Sequence, residues 1–280
     1  MDETISLYRI IEEPVVVFHN RNVLPPINVP HLHSRYEFCY NIGGAHGMLT
    51  DQKYIPCNGR DLVFLPKTCV HKILVHKGEY YERCVVNVDS SVVEEINSLP
   101  HLNRPLDWLE SPAMSIPRRV NLSEEAHRRF VKLVDLYHKS EQSKLSQYGI
   151  FLQIMDFLEV QFRNAAACEL EVSMPETFAE RALLLIEENF ADMKVSDLSK
   201  KLYVNAAHLS ALFKDEYGIT LEQYLLIRKI AEAKKYLYMG ESVTEACARA
   251  GFRNYSNFVR TFKKVEGCTP SRLHKLTDPL

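Results

Sequence analysis

The chain contains no apolar run near the roughly 18 residues that a membrane-spanning helix needs. Its N-terminus is acidic and leads into Arg9 and Glu12 rather than into the apolar stretch of a secretion signal. The seven cysteines are odd in number and include no Cys-x-x-Cys pair, which argues against a disulfide framework or a zinc ribbon. These absences predict a cytoplasmic protein that does not enter a membrane.

The chain also has little net charge, −2 over 280 residues, but the charge is unevenly distributed. Residues 200–275 contain 14 basic and seven acidic side chains, so this span carries +7 and the remainder carries −9. A basic end on an acidic body indicates a polyanionic partner for that end. A solvated lysine-rich face gives the same count, so the partner has to be identified from motifs.

Hydrophobic periodicity divides the chain into two domains, predicted at 1–165 and 177–280. Short apolar runs separated by Gly, Pro and Asn turns predict an antiparallel β-barrel or sandwich over about 10–90. Apolar residues at three- and four-residue spacing then predict two helices over about 123–164. The small and acidic stretch 166–176 predicts a linker. Because nothing strand-like follows it, the fold class is α+β with an all-helical C-terminal domain.

The C-terminal domain contains one pattern twice. Residues 195–198 match 243–246 at an offset of 48, and 209–214 and 218–220 match 258–263 and 267–269 at an offset of 49. Each copy has a short helix, a tight turn and a second helix, which is the arrangement of a helix-turn-helix unit. We therefore predict units at about 195–217 and 243–265, joined by one helix over 220–238.

Capping residues support these helices. Gly251 is suited to the positive φ of the second turn. The predicted N-caps are Ser196 and Thr244 for the first helices, Asn205 and Asn254 for the second helices, and Thr220 for the joining helix.

The second copy contains Ala250, Gly251 and Phe252, then the run 258–264, and later Gly267, Thr269 and Pro270. These residues, together with 227–237, resemble the DNA-binding domain of the AraC/XylS family of transcription regulators. The resemblance covers 186–276, about a third of the chain. It implies seven helices, with two recognition helices entering adjacent major-groove segments about one turn (~34 Å) apart.

The resemblance also implies which residues face DNA. Arg260 is suited to bidentate contact with guanine, although an arginine there can equally bind a phosphate, and the alanines offer only methyl contacts. The expected base-facing residues are Ala206, Ala207, Ser210 and Ala211 in the first unit and Tyr255, Ser256, Val259 and Arg260 in the second. The expected phosphate contacts are Lys214, Arg253, Lys263 and Lys264.

Histidines mark the N-terminal domain. The pattern of His31, His33 and Glu37, and the later His71 after 59–66, resembles the two cupin motifs, although Pro25 stands where a glycine is expected. Positions 31, 33 and 37 share one face of a strand. The resemblance implies that His31, His33, Glu37 and His71 can hold a divalent metal such as Zn, Fe or Mn.

A barrel interior with converging polar groups is also the default site for a small molecule. We therefore predict an effector pocket lined by some of His31, His33, Tyr36, Glu37, Tyr54, Phe64 and His71. Two alternatives remain open: a ligandless dimerisation domain whose histidines bond within the core, and a metal-dependent cupin enzyme fused to a DNA-binding domain. Because the sequence shows no nucleophile–base pair beyond these ligands, we predict no enzymatic activity and no obligatory cofactor.

The predicted function is a sequence-specific, effector-responsive transcription regulator that binds double-stranded DNA. The helices over 123–164 have larger apolar faces than a surface helix needs, which together with the resemblance favours a homodimer over packing on their own barrel. The protein is expected to be cytoplasmic and nucleoid-associated and, if it activates transcription, to contact RNA polymerase.

Overall fold

The computed structural model describes residues 13–23, 29–51, 54–76, 78–164 and 177–277. The predicted linker at 166–176 lies outside the described residues, as do Pro25 and the first residues of the predicted barrel.

The N-terminal half forms an antiparallel sandwich of two sheets. Its strands are β1 (Val15–Val23), β2 (Tyr36–Gly43), β3 (Ala45–Thr50), β4 (Tyr54–Pro56), β5 (Asp61–Leu65), β6 (His71–Val75), β7 (Tyr80–Val88) and β8 (Arg118–Asn121). One sheet has five strands in the order β1-β7-β2-β5-β8, and the other has three in the order β4-β3-β6.

The two sheets do not close into a barrel within the described part of the chain, so the barrel alternative is wrong and the sandwich is confirmed. The chain passes from the five-stranded to the three-stranded sheet at the turn between β2 and β3, where Gly44 has a φ of 95°. A Cβ atom at Gly44 would lie 2.0 Å from the Tyr80 carbonyl oxygen, so the close approach of β7 requires glycine there. Outside the named strands, the backbones of His31 and His71 form an isolated antiparallel bridge.

The described helices are α1 (Ser90–Asn97), α2 (Glu124–Lys139), α3 (Lys144–Asn164), α4 (Phe178–Asn189), α5 (Val195–Leu202), α6 (Ala206–Tyr217), α7 (Leu221–Tyr238), α8 (Val243–Arg249), α9 (Tyr255–Glu266) and α10 (Pro270–Thr277). Helices α2 and α3 cover the outer face of the five-stranded sheet. There Phe38 and Phe64 meet Phe162 of α3, with ring centroids 5.8 and 6.0 Å away.

Strand alternation gives each sheet two different partners. Between the sheets lies a core that includes Cys39, Val63 and Met48. On the outer face of the three-stranded sheet, Leu49 and Leu74 pack into the core of the C-terminal helices. The layers therefore run from α2 and α3 through the two sheets to the C-terminal domain.

The C-terminal domain has two cores that share α7. The first includes Leu183, Leu209 and Phe213, and the second includes Phe258 and Phe262. Asn205, Thr220 and Asn254 cap their helices as predicted, each accepting a backbone N–H.

The predicted caps of α5 and α8 are wrong by two residues. Ser242 caps α8 and forms a reciprocal capping box with Glu245, whereas Thr244 lies inside the helix. Lys194 occupies the N-cap position of α5 without a side-chain hydrogen bond, so Ser196 is also inside its helix.

Candidate nucleic-acid interface and histidine cluster

Helices α6 and α9 bury one face and present the other to solvent. Leu209 and Phe213 of α6 and Phe258 and Phe262 of α9 are fully buried. Of the predicted base-facing residues, Ala206, Ala207, Ala211, Tyr255, Ser256 and Arg260 are exposed, whereas Ser210 and Val259 are half-buried. Val259 packs partly against the second core, which limits how far its side chain can extend toward a DNA base.

Basic side chains surround these exposed faces. The predicted phosphate contacts Lys214, Arg253, Lys263 and Lys264 are all exposed. Lys214 lies in the last turn of α6, while Lys263 and Lys264 lie in the last turn of α9. The structure thus leaves all four free to approach a polyanion, and their role at a phosphate stays a prediction.

Two exposed polar residues on the same helices were not singled out by the sequence argument. Asn257 accepts a hydrogen bond of 3.1 Å from Arg260 and lies three residues before it, one turn along α9. His208 is exposed on α6. The i, i+3 spacing of Asn257 and Arg260 in the sequence places both on one face of α9. It indicates a base-reading pair, because asparagine and arginine are the side chains that pair with adenine and guanine.

Lys229 of α7 holds the two units together. Its ammonium donates a hydrogen bond of 2.8 Å to the carbonyl of Ala191, which precedes α5. It donates a second hydrogen bond, of 3.2 Å, to the carbonyl of Gly251 in the turn after α8. Gly251 has a φ of 77°, and a Cβ atom there would lie 2.5 Å from the Ala191 carbonyl oxygen. The turn of the second unit is therefore in direct contact with the loop that leads into the first unit.

Tyr203 occupies in the first unit the turn position that Gly251 occupies in the second. It has a φ of 55° and is 96% exposed. A non-glycine residue in the left-handed region costs about 1 kcal/mol or more. The repeat alignment pairs Tyr203 with Gly251, but a tyrosine gives no sequence signal for this conformation.

Four residues, His31, His33, Glu37 and His71, come together at the end of the sandwich, and we call them the histidine cluster. His33 Nε2 hydrogen-bonds Glu37 Oε2, and His71 Nε2 lies 3.6 Å from the same oxygen. One ligand atom from each of His33, Glu37 and His71 falls within 4.8 Å of the others. The rings of His31 and His71 have centroids 4.3 Å apart.

Backbone carbonyls orient two of these imidazoles. His71 Nδ1 lies 3.0 Å from the Cys69 carbonyl oxygen, and His31 Nδ1 lies 3.2 Å from that of Val29. An imidazole nitrogen must carry the proton to donate to a carbonyl, so each contact leaves Nε2 with a lone pair. His71 Nε2 is buried and has no hydrogen-bond partner among the described residues.

Burial and mutual repulsion keep the cluster from accumulating positive charge. Burial lowers the pKa of His31 to about 3, with a further contribution from His71. Burial also lowers the pKa of His71. For Glu37 burial opposes ionisation, but His33 and His71 together outweigh it and lower the pKa of the carboxyl to about 2.

The other residues of the predicted pocket lie elsewhere. Tyr36 and Phe64 face α2 and α3, because residues adjacent to Glu37 and Leu65 point to the opposite side of the sheet. Tyr54 packs against the core of the C-terminal helices instead. The structure therefore brings together four of the seven predicted residues and separates the other three.

The three-stranded sheet is joined to the C-terminal domain by polar contacts as well as by Leu49 and Leu74. His46 hydrogen-bonds Glu180 of α4 at 2.7 Å, and Asp51 forms an ion pair with Lys235 of α7. Lys72 of β6 places its ammonium 3.9 Å from the ring centroid of Tyr217 in α6.

Residues 28–146 match the family model of the AraC-like ligand-binding domain, and residues 198–275 match a helix-turn-helix domain family. With two helix-turn-helix units exposed beside basic side chains, the class is a DNA-binding transcription regulator. The chain belongs to the AraC-type regulators, and its N-terminal half is their ligand-binding domain.

Two relatives and one solved structure are examples of what the chain is similar to. YfiF of Bacillus subtilis (strain 168), an uncharacterized HTH-type transcriptional regulator, is 24% identical over 256 residues, covering 88% of this chain and 78% of YfiF. AdaA of the same organism, a bifunctional transcriptional activator and DNA repair enzyme, is 27% identical over 143 residues, covering 50% and 68%. A solved structure of fatty acid-bound ToxT from Vibrio cholerae is 14% identical, covering 93% and 94%, with a TM-score of 0.40. No helix within the described ranges is both long and apolar enough to cross a membrane.

Proposed function

We propose that this regulator reads specific DNA sequences with α6 and α9 and responds to an effector bound in its N-terminal domain. The observation that carries the proposal is the pair of exposed recognition faces, tied into one unit by Lys229. Arg260 and Asn257 supply hydrogen bonds to base edges, whereas the alanines of α6 supply methyl contacts, so α9 is the stronger reader.

In vitro selection of DNA from a random pool tests the sequence specificity directly. We expect the selected sites to contain two conserved segments centred about one helical turn, or ~34 Å, apart. The segment under α9 should be the better conserved of the two. Recovery of unrelated sequences with equal affinity would contradict sequence-specific reading.

The effector site is proposed at the histidine cluster, since the ligand-binding family spans residues 28–146 and polar groups converge there. An effector raises the melting temperature of the full chain by mass action. A thermal-shift screen of metal ions, sugars, amino acids and fatty acids therefore tests the proposal. If none stabilises the chain, the alternative of a ligandless dimerisation domain is favoured.

We propose further that the protein is a homodimer joined through α2 and α3. Leu145 of α3 is 86% exposed and Tyr148, three residues on, is 40% exposed, so they form one apolar patch. Leu145→Glu is expected to shift the sedimenting species from dimer to monomer at micromolar concentration. The matched control is Leu102→Glu, at an exposed leucine outside these helices.

The proposal includes no enzymatic activity, and places the protein in the cytoplasm on the nucleoid. Relatives described as transcriptional regulators support the absence of enzymatic activity, although AdaA combines regulation with repair. RNA polymerase is the expected further partner if the protein activates transcription. Turnover of any compound that stabilises the chain would instead favour a fused enzyme.

A further inference from the structure

We propose that the histidine cluster binds a divalent transition-metal ion, and that this ion strengthens DNA binding through α7. The second half of this inference rests on the proposed function, because it takes the effector to be the ion. The first half stands on the geometry of the cluster alone.

The donor atoms are already oriented for a cation. The Nδ1 contacts of His31 and His71 with backbone carbonyls leave both Nε2 lone pairs directed away from those carbonyls. Metal-binding histidines characteristically donate their second nitrogen to a carbonyl or carboxylate in this way. His71 Nε2 is buried, lacks a partner among the described residues and lies 3.6 Å from the Glu37 carboxylate. A cation between them would satisfy both groups.

The donor set also indicates the class of ion. His33, His71 and Glu37 supply two imidazoles and one carboxylate within 4.8 Å of one another, a set that Zn²⁺, Co²⁺, Ni²⁺ and Fe²⁺ accept, whereas Mg²⁺ and Ca²⁺ prefer oxygen-only sites. An anionic effector would meet the Glu37 carboxylate and is disfavoured. The cluster thus selects a transition metal over both alkaline-earth ions and organic acids.

The segments that carry the ligands also contact α7. Leu32, between His31 and His33, and Val70, which precedes His71, pack against Ala231 of α7. All three are buried, with at most 3% of each residue exposed.

An ion pair lies beside this contact. Asp51 accepts from Lys235 of α7, and the Asp51 N–H donates to the Val70 carbonyl at 2.9 Å. Because Val70 is directly bonded to His71 in the chain, a change at His71 reaches the Asp51–Lys235 pair through one residue.

An ion that fixes His33, Glu37 and His71 therefore also fixes the surface on which α7 rests. Since α7 contributes to both cores of the C-terminal domain, it transmits this restraint to both helix-turn-helix units. The arrangement shown leaves the recognition faces of α6 and α9 exposed. Stabilising this arrangement should favour the DNA-binding state, by the differential affinity of the ion for that state.

The metal site is tested with the full chain, stripped of metal by a chelator and titrated with Zn²⁺ and Co²⁺. We expect one ion per chain and visible absorption bands from bound Co²⁺. His71→Asn and Glu37→Gln should each weaken binding by about tenfold or more, since even second-shell changes cost that much. His101→Gln, at an exposed histidine outside the cluster, should bind like the parent chain.

Thermal melting of the metal-free variants shows whether each one is folded. Because two different ligands are replaced, failure of one variant to fold leaves the other to decide the result. Unchanged affinity in a folded variant, or the absence of stoichiometric binding by the parent chain, would overturn the metal site.

Regulation is tested on DNA selected by the protein itself. We expect Zn²⁺ to tighten binding of that DNA by about fivefold or more, the lower range of allosteric coupling. Asp51→Asn weakens the pair with Lys235 without removing a proposed ligand, so it should bind the ion but show a reduced response.

The outcomes separate the two proposals. Ion binding with unchanged or weaker DNA affinity would overturn the regulatory inference and make the ion structural. An organic effector that acts in the absence of metal would also overturn it, while leaving the proposed function intact. Failure to select any DNA, with or without Zn²⁺, would instead contradict the proposed function.

Discussion

Arg260 projects from the exposed face of α9 and is oriented by Asn257, whose side-chain oxygen accepts a hydrogen bond of 3.1 Å from it. Arg260→Ala is expected to weaken binding to the selected site by roughly 1–3 kcal/mol and to relax the preference at one base pair. Quantitative binding to a library of single-base variants measures both effects.

Arg253→Ala is the matched control, because it removes an exposed arginine from the same unit where a phosphate contact is predicted. It should weaken binding to all sequences about equally and reduce its dependence on salt. If Arg260→Ala behaves in this uniform way, Arg260 binds a phosphate and the base-reading role is wrong.

At the residue scale, the sequence predicted contacts that depend on spacing along one element. His33 and Glu37 do meet, but not by the predicted alternation along one strand, because β2 begins at Tyr36 and His31 and His33 precede it. Strand alternation places the Tyr36 side chain on the other side of the sheet from Glu37, since adjacent residues of a strand face opposite sides. Phe64 follows Tyr36 to the outer face, where the two rings stack with centroids 6.3 Å apart.

Helix α7 acts as the element that sets the geometry of the DNA-binding domain. Lys229→Met removes the hydrogen bonds to Ala191 and Gly251 and so loosens one unit relative to the other. We expect binding to the complete selected site to fall by about tenfold, consistent with the loss of hydrogen bonds to a charged group. Binding to a single conserved segment should change less.

Lys275→Met removes the same charge from an exposed position of the same domain. It controls for the loss of attraction to DNA. Equal effects of Lys229→Met on complete and single-segment sites would show that Lys229 contributes only charge.

The beginnings of helices were predictable where the side chain carries the signal. Asn205 and Asn254 cap α6 and α9. Ser242 and Glu245 have the spacing of a capping box, so the start of α8 also carries a local signal in the sequence. Lys194 has no capping side chain, so α5 starts without a local signal. Packing of Leu198 into the first core determines its position instead.

At the scale of the whole molecule, the contact between the domains buries a charged side chain. The Lys72 ammonium lies between Tyr217 and Tyr224, at 3.9 and 5.0 Å from their centroids, and lacks a hydrogen-bond partner among the described residues. Burial lowers its pKa to about 7, partly opposed by Glu187 and Glu216.

Lys72→Met keeps the unbranched side chain and removes the buried charge. We expect the free energy of unfolding to rise by about 1 kcal/mol or more, because desolvation of an ammonium outweighs a cation–π attraction of about 2 kcal/mol. Calorimetry measures the change. Lys72→Glu should lower the melting temperature, as it places a carboxylate near Glu187 and Glu216. A fall in stability for Lys72→Met would show that the aromatic contact dominates.

The division into domains and the helical repeat followed from periodicity, but the contact between the domains did not. Lys72 and Tyr217 are 145 positions apart, and Asp51 and Lys235 are 184 apart. Nothing in either segment alone specifies such a pairing. The approach of Tyr80 to the turn at Gly44, where the chain passes between the two sheets, is another contact between distant positions.

The tie between Lys229, Ala191 and Gly251 has a consequence for the DNA rather than for the protein. Because the tie restrains the spacing of the two recognition helices, the duplex has to curve wherever that spacing differs from its own helical repeat. The elastic cost of that curvature depends on base steps that no side chain touches. Flexible pyrimidine–purine steps between the two contacted segments should therefore be enriched in the selected sites. DNA selected by the Lys229→Met variant should lose the preference for these steps but keep the preference at the contacted bases.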